Sequence, residues 1–117
     1  MEAQDLGSTL QGIGSALYEE MVYEDGLLRS PSLVEYRVPL VSDLPDTFVS
    51  LAVEHQDGPG PFGAKGIGEG GIMAAAAAIG NAVAQAIGRR VYDLPLSPER
   101  VWRALSGAGG CREGEKP

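Results

Sequence analysis

Apolar residues recur with a helical period near the start of the chain and again beyond its middle, with shorter alternating runs between. Leu6, Leu10, Ile13, Leu17 and Met21 lie three or four residues apart, which predicts a helix over residues 4–21 with one apolar face. A second face carries Gly7, Gln11, Gly14, Ser15 and Tyr18. Most of these are small, so another element or a ligand could pack closely there. Asp25-Gly26 signals a turn. "LVEYRVPL", residues 33–40, predicts a short strand that Pro39 ends or confines to an edge. In "TFVSLAVE", residues 47–54, Val49, Leu51 and Val53 share one face, the strongest strand pattern in the chain.

The stretch "GPGPFGAKGIGEGG", residues 58–71, breaks any period. A second helix follows over about 71–87, where Ile72, Ala76, Ile79, Val83 and Ile87 form a stripe. Ala74, Ala75, Ala78 and Ala82 keep the rest small, so this helix is expected to be buried on several sides. Gly88 with Arg89-Arg90 reads as its C-terminal cap and dipole partners. "RVYDL" suggests another short strand. Ser97-Pro98-Glu99 opens a last helix through Leu105, with an N-cap serine and proline at the first helical position. The order α-β-β-β-α-β-α implies an α+β fold: two layers, with a small mixed sheet packed by helices. One domain over 1–106 and a flexible tail over 107–117 are expected.

Composition narrows the function classes. The chain has 117 residues, enough for one domain, and 44% of them are hydrophobic, so a packed core is expected and disorder is not. Nine basic against 16 acidic residues give a net charge of −7, which argues against nucleic acid and anionic membrane as partners. No apolar run reaches the ~18–20 residues of a membrane span. "MEAQDLGSTLQG" lacks the basic and apolar regions of a secretory signal, so the cytoplasm is the expected compartment. Cys111 is the only cysteine and His55 the only histidine, too few for an internal disulfide or a zinc site.

The chemistry centres on Glu69, a carboxylate set among glycines. A phosphate-binding P-loop is excluded, because Lys65 precedes Gly66 and no hydroxyl follows. Gly66 to Gly71 does match the G-x-G-x-x-G dinucleotide fingerprint, with Asp93 some 20 residues on. However, a dozen residues, including Pro59 and Pro61, separate it from the strand that should precede it. Glu69 itself has two readings. It could open the helix, favoured by the helix dipole. Alternatively, it could be a general base, with bare backbone on both sides leaving room for a bulky cofactor and free N–H groups for an anionic one. Elementary physics does not choose. Gln11 reads first as a surface or interhelical hydrogen-bonder, Lys65 as a loop cation, His55 as solvated, and Trp102 as core or interface.

Three segments in order, "QGIGSALYEE" at 11–20, "GPFGAKGIGEGG" at 60–71 and "AIGNAVAQAIGRRVYDLPLSPERV" at 78–101, change the balance. Together they resemble the C-terminal part of the molybdopterin-binding large subunit of the molybdenum hydroxylases. That family includes xanthine dehydrogenase, aldehyde oxidase and the aerobic carbon monoxide dehydrogenase. "EYRVPLVSDLP" fits the same pattern, and the resemblance covers about residues 4–105. It implies that Glu69 is the catalytic base, standing beside the molybdenum without being its ligand. The base takes a proton from the oxygen that attacks an electron-poor carbon. Lys65, Gly66, Ile67 and Gly68 would lie against the pterin, and Gln11 near it.

The resemblance further implies a molybdenum–molybdopterin cofactor, in plain or cytosine dinucleotide form, shared with a remaining molybdopterin-binding chain. FAD and 2Fe-2S clusters are expected only on partner subunits, since one such cluster needs four cysteines. Family large subunits are several times longer, so the isolated chain is expected to be inactive, exposing apolar surface or self-associating. Three accounts remain open at this point. The chain is part of a molybdenum hydroxylase acting on an aldehyde, a purine or other N-heterocycle, or carbon monoxide. Alternatively, it is an inactive fragment with the same fold, or a small dinucleotide-binding module.

Overall fold

The computed structural model describes residues 1–107. It is α+β, with three helices and one small sheet: α1 (Glu2–Leu17), β1 (Tyr23–Glu24), β2 (Leu27–Leu28), α2 (Ile72–Ile87) and α3 (Pro98–Ser106). Short 3₁₀ turns occupy Val41–Asp43 and Pro61–Gly63. The expected tail and Cys111 lie outside the described residues. Among the described residues, no helix is long and apolar enough to cross a membrane.

The helices follow their local signals. α2 ends where Gly88 takes a left-handed conformation, φ 68°, and the N–H groups of Gly88 and Arg89 both turn back to the carbonyl of Ala84. α3 starts at Pro98, with Ser97 Oγ accepting from the Arg100 N–H at 3.3 Å. α1 stops four residues before the expected end, at Leu17 rather than Met21. Tyr18 leaves the helical region and the Glu19 amide doubles back to the carbonyl of Gly14. Gly14 permits that reversal, because a Cβ there would strike the Glu19 carboxylate and lie 2.8 Å from Pro39 Cγ.

The expected strands are not where the structure puts its sheet. Residues 33–40 begin as a turn: Ser32 O accepts from the amides of Glu35 and Tyr36, and Ser32 Oγ accepts from that of Val34. A serine bonding its own neighbours outcompetes the apolar alternation there. Residues 47–54 belong to no ladder, and Val49, Leu51 and Val53 are 69, 84 and 79% exposed. A strand needs a partner to take its backbone groups, and no second strand comes alongside among the described residues. Residues 90–94 likewise form no ladder. The sheet is instead an antiparallel hairpin around Asp25-Gly26, pairing Tyr23 with Leu28 and Glu24 with Leu27. Both turn residues have positive φ, 51° and 78°, the backbone of a type I′ turn.

α1 and α2 pack together through small residues. A Cβ on Gly12 would lie 2.5 Å from Ala75 Cβ and 3.1 Å from the Ile72 carbonyl oxygen, so the two backbones nearly touch. Ser8, Gly12 and Ala16, one helical turn apart, are buried, whereas Gly7 and Ser15 of the expected small face are exposed. The core is thin. Among the described residues its buried apolar side chains include Ala16 and Leu96, joined by a 2.7 Å bond from the Leu96 N–H to the Ala16 carbonyl. The chain presents 9390 Å² to solvent, against about 6,000 Å² for a folded monomer of 12.2 kDa. Trp102 is among the large apolar side chains left bare.

Candidate functional site

The glycine-rich segment is folded onto the first two turns of α1. Its early part closes on itself: Gly58 N–H bonds Gly63 O at 3.1 Å and Gly60 N–H bonds Ala64 O at 3.1 Å. Gly63 takes φ 75°, and Lys65 Nζ pairs with the Asp57 carboxylate. At the far end, Gly71 is wedged against α1. A Cβ there would strike Ser8 Oγ and lie 2.7 Å from Thr9 Oγ1 and 2.9 Å from the Asp5 carbonyl oxygen. Gln4 Nε2 donates to the Gly68 carbonyl across 2.9 Å. Asp5 accepts from Ser50 Oγ at 2.8 Å, bringing residues 47–54 to the same helix turn. One polar stripe near the start of α1, Gln4, Asp5 and Ser8, thus gathers two distant pieces of chain, residues 47–54 and the glycine-rich loop.

The glycines between these anchors behave differently. At Gly66, Gly68 and Gly70 an added Cβ would meet nothing within 4 Å, and none has a positive φ. Neither crowding nor backbone conformation within this chain calls for glycine at those three positions. Residues 64–70 are exposed throughout. Glu69 sits at the centre, its carbonyl accepting from the Ile72 N–H at 3.2 Å and its carboxylate without a hydrogen-bond partner among the described residues. No set of three His, Cys, Asp or Glu side chains converges to hold a metal ion among the described residues.

The structure therefore places Lys65, Gly66, Ile67, Gly68 and Glu69 on one exposed loop, with Lys65 committed to Asp57. Gln11 does not join them. It is exposed on α1, and its backbone carbonyl accepts from Ser15 Oγ at 3.1 Å. Gln4, two turns earlier, is the glutamine that reaches the loop. Helical period could have found it, because Gln4, Ser8 and Gly12 fall on the face that meets α2. A hollow of about 240 Å³ beside Asn81, Arg90 and Tyr92 lies on another part of the surface, carries no carboxylate and does not compete with the loop. The strand that the dinucleotide fingerprint requires before its first glycine is absent from residues 47–65.

Comparison with known proteins identifies the family. The profile of the molybdopterin cofactor-binding domain matches residues 1–45. The chain is 40% identical over 107 residues to the 6-hydroxypseudooxynicotine dehydrogenase complex subunit gamma of Paenarthrobacter nicotinovorans, with 89% of this chain and 14% of that protein covered. It is 40% identical over 104 residues to an aldehyde oxidoreductase of Megalodesulfovibrio gigas, covering 89% of this chain and 11% of the relative. Among solved structures, quinoline 2-oxidoreductase from Pseudomonas putida 86 superposes with a TM-score of 0.72 at 33% identity, over 90% of this chain and 14% of that one. The chain thus spans about one seventh or less of the length of these proteins. Its sequence and fold place it in the molybdenum hydroxylase family, as a portion of the molybdopterin-binding large subunit.

Proposed function

We propose that this chain supplies the catalytic base, Glu69, and part of the cofactor-binding loop of a molybdenum hydroxylase, working in assembly with the rest of the large subunit. The observation that carries this reading is the contrast among the loop glycines. Gly58, Gly60, Gly63 and Gly71 are needed by the chain's own packing or backbone, whereas Gly66, Gly68 and Gly70 border open space. Glycine weakens a fold by its conformational freedom, so three positions without an internal reason suit a bulky group lying against the backbone. The residues fit such a group: bare backbone from 66 to 70, the N–H groups that precede α2, and a carboxylate free of internal partners.

When bound, the molybdenum cofactor supplies the two-electron oxidation. This chain's part is to hold a carboxylate, uncommitted to any other side chain, where it accepts the proton from the attacking oxygen. Lys65, Gly66, Ile67 and Gly68 would line the pterin, with Gln11 a more distant contributor. The substrate classes in keeping with the relatives are aldehydes and electron-poor N-heterocycles, with carbon monoxide a further class. The thin core and bare apolar surface support assembly with a remaining molybdopterin-binding portion, and with FAD and 2Fe-2S subunits beyond it. A cytoplasmic holoenzyme is proposed.

Two substitutions in the assembled enzyme test this reading. Glu69→Gln should leave molybdenum and pterin content intact while turnover falls about 10²-fold or more. Gly66→Ala should leave thermal stability unchanged but lower cofactor content, since the new methyl group would occupy the cofactor's side of the loop. Wild-type turnover in the first, or full cofactor loading in the second, would count against the proposal. If the chain is instead an inactive remnant, complexes purified through it will carry no molybdenum.

A further inference from the structure

The bond between Gln4 and the loop carries an inference about control of Glu69, which rests on Glu69 being the base. We propose that Gln4 is a positioning residue for Glu69. Its side-chain amide holds the peptide unit joining Gly68 to Glu69 and thereby sets where the carboxylate points. The carbonyl oxygen of Gly68 and the amide nitrogen of Glu69 belong to one rigid plane, so a donor 2.9 Å from that oxygen fixes the plane from which Glu69 departs.

On the other side, the Glu69 carbonyl accepts from Ile72 N–H at 3.2 Å, and Gly71 is wedged between Ser8, Thr9 and Asp5. The backbone of Glu69 is thus held before and after itself, by α1 and by the first turn of α2, while its side chain stays free. The tether matters here because the flanking glycines offer no side chains to pack. Gly68 and Gly70 have no neighbours where a Cβ would stand, so packing does not hold the backbone on either side of Glu69. A glycine-rich backbone left to itself samples more conformations than any other. Gln4 projects from a 16-residue helix whose Ser8–Gly12 face is locked on α2, so the anchor is rigid while the loop is not. Proton transfer is steep in geometry, and a displacement of about 1 Å can cost ~10²-fold in rate.

The test uses the assembled holoenzyme. Gln4→Met keeps the side-chain length and removes the donor, whereas Gln4→Lys keeps a donor. Amide hydrogen exchange across residues 66–72 should quicken about tenfold in Gln4→Met and return toward wild type in Gln4→Lys. Turnover should follow, with kcat about tenfold lower in Gln4→Met, KM within about twofold, and recovery in Gln4→Lys. Unchanged exchange in Gln4→Met overturns the tether, whatever Glu69 does. Quickened exchange with unchanged kcat overturns the positioning role. The base reading fails separately, through Glu69→Gln retaining its turnover, and the exchange result does not depend on it.

Discussion

Leu96 donates its backbone N–H to the carbonyl of Ala16 across 2.7 Å, and both residues are buried. The bond closes the chain, bringing the segment that leads into α3 against the last turn of α1. Arg100 reinforces the junction, donating to the Pro95 carbonyl at 3.0 Å and pairing with Glu20. Leu96→Ala removes one of very few buried side chains and should cost about 2–5 kcal/mol, read from the midpoint of urea unfolding. Arg100→Ala at the partly exposed pair should cost about 1 kcal/mol or less. A larger loss in Arg100→Ala than in Leu96→Ala would mean that the ion pair, not the apolar contact, closes the fold.

Gly71 and Gly70 are neighbours with opposite surroundings. Gly71→Ala drives a methyl group into the side chains of Ser8 and Thr9 and to 2.9 Å from a backbone oxygen of α1. It should destabilise by about 1–3 kcal/mol and detach the loop from the helix. Gly70→Ala meets nothing and should change stability by less than about 0.5 kcal/mol. Thermal unfolding of both variants checks the contrast, and a neutral Gly71→Ala would refute the wedge.

Tyr36 donates its hydroxyl to the Glu19 carboxylate at 2.6 Å. That bond, helped by partial burial and the carboxylate's charge, holds the phenol above its ordinary 10.0. The unfolded chain releases this proton at the ordinary value, so the contact contributes fully below it and fades as pH rises through the raised one. Phenolate absorbance should show Tyr36 titrating above the ordinary phenol value. Glu19→Gln should lower it toward that value, and a titration unmoved by that change would refute the bond's effect.

The helices were legible because their instructions are local. Pro98 after Ser97 starts α3, and Gly88 in the left-handed conformation stops α2, each within a few residues of the bonds concerned. The segment around Val49, Leu51 and Val53 misled because alternation says only that a strand could form, whereas pairing depends on a second segment coming alongside. Glu69 stood out among its glycines, and the family pattern assigned it a role. Helical period puts Gln4 on the face of Ser8 and Gly12, but it does not name the partner, which lies 64 residues away.

By itself the sequence determined three helical segments, a glycine-rich loop bearing one carboxylate, and membership in a family, all of them properties of neighbouring residues or of shared pattern. Tertiary structure alone decided which glycines the chain needs for its own packing and which face open space. It also decided which glutamine holds the loop. Those outcomes depend on α1 and α2 approaching until their backbones nearly touch at Gly12 and Ala75, a distance that contacts remote along the chain set together.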